Sequence, residues 1–152
     1  MAELTESEAE RRSLTTFVIV GAGPTGVEMA GQIAELTRQT LRRSFRRVDT
    51  TKSRILVLDG ASAVLAPFGS KLSVAARREL ERNGVEVRLG ALVADVDANG
   101  LEVRYQDGRT ERIEASCKVW AAGVQASPLG RTLAEQSGAG VDRAGRVQVN
   151  PD

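Results

Sequence analysis

The chain has 152 residues, which is enough for one domain with its own core, and 41 % of them are apolar. A net charge of +1 and an aromatic content of 3 % argue against a nucleic-acid-binding protein. The single cysteine excludes an internal disulfide, and the lack of histidine excludes His-based catalysis and His metal sites, so we expect no metal. No apolar run approaches the roughly 20 residues that span a bilayer, which predicts a cytoplasmic chain.

Residues 1–14 are acidic and then basic, and they lack an apolar stripe. This pattern is compatible with a short polar helix or with a frayed arm. We interpret the segment as a lead-in or the remnant of a linker, followed by one domain at residues 15–152.

The most informative stretch is a Gly-x-Gly-x-x-Gly turn that follows an apolar strand at residues 15–20 and precedes a helical pattern. That order is typical of a dinucleotide-binding βα unit, although a merely structural turn is the alternative. The first glycine would allow the tight turn, the second the approach of a pyrophosphate, and the third close packing of the helix. The helix N-terminus would then face the phosphates. The candidate cofactor-binding residues here are Gly21, Gly23, Pro24, Thr25 and Gly26.

The helix after this turn becomes basic beyond residue 36. We interpret the run as a solvated helix end whose cations complement the helix dipole. An interface or an anionic surface is the alternative. The arginines of the run are Arg38, Arg42, Arg43, Arg46 and Arg47.

A second apolar strand, residues 54–59, ends in Asp59 and is followed by Gly60. A carboxylate at this position accepts from a ribose 2′-hydroxyl and repels a 2′-phosphate, which favours NADH over NADPH. A turn-forming aspartate is the alternative. Gly60 belongs to the same candidate site.

The remainder of the chain adds further βα and β elements. Alternating runs joined by Asn-Gly and Asp-Gly dipeptides predict two consecutive hairpins, and hence a three-stranded antiparallel meander. We therefore predict an α/β fold, a Rossmann-type parallel sheet flanked by helices together with this β-meander. The predicted elements are a helix at 70–83, strands at 85–89, 92–96, 101–105, 109–114 and 117–120, a short helix within 127–137, and a strand at 146–149.

The strand at 117–120 ends in small residues. Ala122 and Gly123 would let a dinucleotide lie against the backbone at the ligand-binding edge of the sheet, or they form a simple turn. We interpret Trp120 as a core residue and Cys117 as a buried apolar side chain.

Three stretches, residues 20–31, 84–96 and 119–124, resemble the NAD-binding domain of type II NADH:quinone oxidoreductases. The resemblance implies NADH and FAD as cofactors, with hydride passing from NADH to FAD and then to quinone. It further implies a domain excised from a larger FAD-containing protein, which binds NADH without turnover on its own. The flavin domain would be its partner, and quinone and membrane would be reached only through other segments.

The same resemblance assigns roles to two side chains. Glu28 would lie near the nicotinamide and the flavin, where it positions groups or handles a proton; its alternative is an acid near the positive end of the helix dipole. Val93 would lie near the adenine, or it belongs to the core. The full-length protein would be peripheral on the cytoplasmic face of the membrane, and a homodimer is left open.

Two other functions remain open from the sequence. One is the NAD domain of another flavoprotein reductase, of the ferredoxin, rubredoxin or nitrite reductase type. The other is a non-catalytic NAD-binding module.

Overall fold

The computed structural model describes residues 1–124 and 126–149, which contain seven strands, four α-helices, one π-helical turn and two 3-10 helices of three residues each. Two units are distinguished, Met1–Ala122 and Gly123–Asp152. The strands are β1 Thr16–Val20, β2 Arg54–Asp59, β3 Val85–Leu89, β4 Ala91–Val96, β5 Gly100–Tyr105, β6 Thr110–Glu114 and β7 Cys117–Trp120. The helices are α1 Glu8–Leu14, α2 Pro24–Glu35, α3 Ser70–Arg82 and α4 Pro128–Ser137.

Four of the strands form a parallel sheet in the order β3-β2-β1-β7. The central strands β1 and β2 are rich in β-branched and leucine side chains, and they are buried on both faces. Their register pairs Val18 with Leu56 and Val20 with Leu58. The predicted α/β class and the parallel sheet flanked by helices are confirmed.

The remaining three strands, β4, β5 and β6, form the predicted antiparallel meander. In the first hairpin, the Asp97 carboxylate accepts from the backbone N–H groups of Asn99 (2.7 Å) and Gly100 (3.0 Å). A Cβ atom at position 100 would lie 2.2 Å from the carbonyl oxygen of Ile113, so the neighbouring strand requires glycine there.

Alternate side chains of β1 and β2 enter two separate cores. Val18 and Val20 pack with the meander, through Leu101, Val103 and Ile113. Ile19 packs on the other face with small residues of α2 and with Leu80 of α3. The period of two along each strand therefore holds the meander on one face of the sheet and the helices on the other.

The basic run is not a helix end, contrary to the sequence prediction. α2 continues only as one π-helical turn, Leu36–Thr40, in which the hydroxyl of Thr37 donates to the carbonyl of Ile33 at 2.8 Å. The backbone N–H of Leu41 then bonds to Leu36 and closes the turn. Of the five arginines only Arg38 lies in the last helical turn, and the other four follow it in exposed positions, so the prediction of solvated cations is confirmed while the helix itself ends earlier.

The predictions for β7 were also wrong. Trp120 is 63 % exposed and Cys117 is only half-buried, because β7 lies at the edge of the parallel sheet. The indole N–H of Trp120 donates to the carbonyl of Ala122 at 2.8 Å. This contact leaves most of the ring outside the core.

The structure decides what the sequence predicted for residues 1–14 and for residues 146–149. Residues 8–14 form the short polar helix α1, which the Ser7 side chain caps through the N–H of Glu10. The predicted strand at 146–149 is wrong: its pairing is a single antiparallel bridge between Val141 and Val147. No helix in residues 1–124 and 126–149 has both the length and the apolar character needed to cross a bilayer.

A network of charged groups joins the outer edge of the parallel sheet to the meander. Arg54 of β2 binds Glu86 of β3 through both carboxylate oxygens, at 2.6 and 2.9 Å. Arg88 of β3 donates to Glu111 of β6 (2.8 Å) and to the hydroxyl of Tyr105 of β5 (2.9 Å). Hydrogen bonds from Arg54 and Arg88 hold the pKa values of Glu86 and Glu111, respectively, below their usual range.

Replacing Arg88 by Met should lower the free energy of unfolding by about 2 kcal/mol at neutral pH, because Glu111 and Tyr105 lose a charged donor. Since the folded-state pKa of Glu111 is depressed, this contribution is present above the ordinary carboxyl pKa of about 4.3 and lost as the pH falls through the folded value. Urea denaturation of both proteins should therefore show a difference that becomes smaller under acid conditions, where only the hydrogen bond from Arg88 to Tyr105 remains. Arg104→Met, at an exposed position, is the matched control, and a difference of the same size at neutral and acid pH would contradict the assignment to Glu111.

Candidate functional site

The glycine turn joins β1 to α2 at the carboxyl edge of the parallel sheet, where open α/β sheets bind ligands. Gly21 has φ +113°, a conformation that favours glycine. Its N–H donates to the carbonyl of Leu58 at 2.7 Å, which ties the turn to the end of β2.

Two of the three glycines are required by the packing of the protein itself. A Cβ atom at position 21 would lie 2.8 Å from backbone atoms of Ala121 and Ala122. At position 26 it would lie 1.8 Å from the carbonyl oxygen of Gly21. These distances are too short for any side chain, so both positions bring backbone against backbone.

Gly23 has no such reason to be glycine. No atom of the described residues lies within 4 Å of a Cβ built there, and its φ of −75° suits any residue. The space beside it is open, and Pro24 and Thr25 next to it are exposed. The first-turn N–H groups of Thr25 and Gly26 have no acceptor within the helix. An open backbone beside unsatisfied donors at a helix N-terminus fits a pyrophosphate.

Asp59 lies at the end of β2, where its carboxylate is bound to the turn. Oδ2 accepts from the N–H of Ala22 at 2.6 Å, and Oδ1 accepts from the N–H of Ala61 at 2.8 Å. The carbonyl of Ala22 accepts from Leu65 at 2.9 Å. Ala22 is therefore held from both sides. Each carboxylate oxygen keeps a further lone pair that can accept from a ribose hydroxyl.

Val93 and Ala122 pack against the same core cluster. Both are partly buried, and the cluster contains Val20 and Leu58 at the ends of β1 and β2. Gly60 is exposed, and a Cβ there would lie 3.8 Å from the Cδ1 atom of Leu92.

Gly123 is the first residue of the second unit, and its φ of +72° favours glycine. The contact of Gly123 with a dinucleotide stays a prediction.

Glu28 is exposed on α2, two residues beyond the last glycine of the motif. Its Oε1 accepts from the side-chain amide of Gln32 at 3.3 Å. The nicotinamide role of Glu28 also stays a prediction.

Three residues of this edge were missed from the sequence. Leu65 has φ +50° and its N–H binds the carbonyl of Ala22, yet a leucine gives no signal for a left-handed conformation. Ala22 was treated only as a spacer of the motif. Leu92 is 61 % exposed beside Gly60. The signal that points to Leu92 is this exposure of an apolar side chain, which only the structure gives.

Within residues 1–124 and 126–149, no group of three or more Cys, Asp or Glu side chains has the arrangement of a metal site. The edge offers backbone donors, the Asp59 carboxylate and partly buried apolar side chains. Groups of this kind suit the binding and orientation of a dinucleotide.

Known proteins resemble this chain over almost all of its length. The pyridine nucleotide-disulphide oxidoreductase family matches residues 2–152. The type II NADH:quinone oxidoreductase Ndh of Mycobacterium tuberculosis is 60 % identical over 147 residues, covering 96 % of this chain and 32 % of that protein. NdhA of the same organism is 54 % identical, covering 99 % and 32 %. The chain therefore spans about a third of the length of these curated relatives.

Solved structures agree on the fold. NDH2 from Plasmodium falciparum, solved in complex with NADH, matches with a TM-score of 0.75 at 20 % identity, covering 83 % of this chain and 26 % of that one. The flavoprotein disulfide reductase RclA from Escherichia coli matches with a TM-score of 0.58 at 21 % identity, covering 91 % and 28 %. The resemblance drawn from the three sequence stretches is confirmed, and the chain belongs to the pyridine nucleotide-disulphide oxidoreductase family.

Proposed function

We propose that the chain is the NADH-binding domain of a membrane-associated, FAD-dependent NADH:quinone oxidoreductase. The observation that carries this proposal is the 60 % identity, over 96 % of the chain, to a protein described as a type II NADH:quinone oxidoreductase. The open backbone at Gly23, beside the helix N-terminus, supports a dinucleotide as the ligand.

In this proposal the chain binds and orients its cofactor. The N–H groups of Thr25 and Gly26 donate to the pyrophosphate, and the lack of a side chain on Gly23 lets it approach. Asp59 accepts from the ribose 2′-hydroxyl while it holds Ala22, and its charge disfavours a 2′-phosphate. Val93, Gly60 and the backbone of Ala122 and Gly123 border the bound dinucleotide, Val93 on the adenine side.

NADH, when bound, supplies a hydride, and FAD held mainly by a flavin domain outside this chain is the acceptor. Glu28 is assigned a positioning or proton-handling role beside the nicotinamide. Quinone and membrane lipid would be reached by other segments, and the full-length protein would be peripheral on the cytoplasmic side and able to form a homodimer. The domain alone binds NADH without turnover.

Titration of the 152-residue chain with NADH should give a saturable change in the fluorescence of its single tryptophan. Trp120 pairs with Val20, the residue before Gly21, and it is largely exposed, so its emission reports on the turn. Thermal unfolding should shift upward with NADH, since a ligand that binds only the folded state stabilises it. If neither signal changes, the proposed function is wrong.

Two alanine substitutions separate ligand binding from packing. Gly26→Ala should destabilise the fold strongly, because its Cβ would clash with the carbonyl of Gly21. Gly23→Ala should change the free energy of unfolding by less than about 1 kcal/mol, the usual scale for a helix N-cap, yet weaken NADH binding at least about tenfold. Urea denaturation and NADH titration measure the two effects. Unchanged NADH affinity in Gly23→Ala would remove the pyrophosphate from this position.

Asp59→Asn tests the carboxylate. Asparagine keeps one acceptor oxygen but turns an amide N–H₂ group toward the N–H of either Ala22 or Ala61, so NADH affinity should fall. The loss of the negative charge should narrow the preference for NADH over NADPH. Competitive titration with both cofactors measures this ratio. If affinity falls but the ratio is unchanged, Asp59 holds the turn without selecting the cofactor.

A further inference from the structure

Four exposed arginines and one aromatic residue form a surface that the proposed site does not use. We name the set Arg42, Arg43, Phe45, Arg46 and Arg47 the basic face. All five residues are exposed, and Phe45 is 43 % exposed.

The charge of this region is set apart from the rest of the chain. Residues 38–47 contain five arginines and no acidic residue, and so carry +5. Because the whole chain carries +1, the other 142 residues together carry −4. Such an uneven distribution of charge within a nearly neutral protein indicates a surface that binds an anion, rather than charges that serve only to keep the protein soluble.

The arginine side chains are not neutralised locally. Within residues 1–124 and 126–149, no carboxylate lies within 4 Å of the guanidinium groups of the basic face. Glu3 is close, but its carboxylate accepts from the backbone N–H groups of Arg47 (2.8 Å) and Val48 (3.2 Å). Asp49 binds Thr51 and Lys52 instead. The charges of Arg47 and Arg42 act on Glu3 and Asp49, respectively, but neither acid forms an ion pair with a guanidinium group of the basic face.

Further cations lie next to the basic face. Arg47 shares the lining of a cleft of about 380 Å³ with Arg11, Arg12 and Lys52. The acids of that cleft are Glu8 and Asp49, so cations outnumber anions two to one. The positive surface thus continues from the segment after α2 onto α1.

Phe45 indicates which anion fits. Phe45 lines an apolar cleft with Leu41 and Val48, remains 43 % exposed, and is flanked in the chain by the arginines of the basic face. An aromatic ring among cations suits the headgroup region of a bilayer, where the ring enters the interface and guanidinium groups bind lipid phosphates. A single-stranded nucleic acid would instead need several stacking platforms, and the basic face contains one aromatic ring.

The position of the basic face suits a membrane contact that leaves the cofactor accessible. The apolar cleft beneath Phe45 is lined by Thr15 and Ser53, the residues just before β1 and β2. The glycine turn follows the other end of β1, about 16 Å away along a five-residue strand. A bilayer at one edge of the sheet would leave the opposite edge free to exchange NADH.

We therefore propose that the basic face binds anionic phospholipid at a membrane surface. This deepens the proposed function and rests on it in one respect, the peripheral membrane location of the full-length protein. It assigns part of that attachment to the NADH-binding domain itself rather than to other segments.

Co-sedimentation of the 152-residue chain with vesicles tests the proposal. The chain should bind phosphatidylcholine vesicles that contain phosphatidylglycerol and not pure phosphatidylcholine vesicles. Binding should weaken between about 0.1 M and 1 M salt, because the Debye length falls from about 10 Å to 3 Å. Binding to neutral vesicles as strong as to anionic ones would overturn the proposal.

Variants locate the surface. Replacing Arg42, Arg43, Arg46 and Arg47 together by Gln should weaken binding to anionic vesicles at least about tenfold, since one cation near such a surface strengthens association about fivefold. The matched control removes the same charge from exposed positions elsewhere, with Arg78, Arg104, Arg131 and Arg143 changed to Gln. Phe45→Ser should weaken vesicle binding by the same factor at low and at high salt. If both quadruple variants lose vesicle binding equally, the binding depends only on net charge, and the assignment to the basic face is overturned.

Two further measurements keep the outcomes separate. The Arg42/Arg43/Arg46/Arg47→Gln variant should retain the NADH titration and the thermal melting of the parent, because its substitutions are exposed and lie at the opposite edge. Vesicle binding without NADH binding would refute the proposed function and leave the lipid surface supported. NADH binding without vesicle binding would refute the lipid surface and leave the proposed function supported. Tighter binding to duplex DNA than to anionic vesicles would contradict a membrane as the partner.

Discussion

The close approach of two backbones at the glycine turn is the constraint on which the rest of the structure depends. The first turn of α2 lies so near the end of β1 that a Cβ on Gly26 would be 1.8 Å from the carbonyl of Gly21. This contact fixes where the helix begins and aims its first N–H groups over the carboxyl edge of the sheet. The small residues Ala30 and Ala34, fully buried along α2, continue the close packing. The proposed dinucleotide site depends on this placement, because these donors face open space beside Gly23, where no side chain blocks a ligand.

Asp59 connects the two neighbouring strand ends. In the sequence it is the acid expected to recognise a ribose, and in the structure its carboxylate also binds the backbone of the turn. A single side chain can hold Ala22 and still offer lone pairs to a hydroxyl, because each carboxylate oxygen accepts more than one hydrogen bond. The proposed cofactor preference and the shape of the turn would thereby depend on the same carboxylate, since its hydrogen bonds to Ala22 and Ala61 hold the turn.

Local patterns predicted most of the fold and less of its surfaces. The two hairpins were predictable because Asn-Gly and Asp-Gly are typical of the junction between two alternating strands, although at Gly100 it is the close approach of Ile113, not a positive φ, that requires glycine. The strands β1 and β2 were predictable because β-branched apolar runs need burial on both faces. Trp120 was wrongly predicted to be buried because local sequence does not reveal the order of the strands in the sheet. At the edge of a sheet a side chain is exposed that would be buried in a central strand. The end of α2 was also missed, since the π-helical turn closes through Thr37 and Leu41, neither of which is a helix breaker. The contact between Leu65 and Ala22 depends on a left-handed leucine that no propensity favours.

The alternation of β1 side chains between two cores has an energetic consequence. Val18 packs with the meander and Ile19 with the helices, so the two side chains share no buried neighbours although they are adjacent in sequence. Each layer can then be weakened separately, and the costs of large-to-small substitutions in opposite layers should sum, as they do for sites without common partners. Paired substitutions within one layer, such as Val18 and Leu101, should interact instead. The parallel sheet thus separates the packing of the meander from that of α2, although Val20 and Leu58, which adjoin the glycine turn, belong to the core on the meander side.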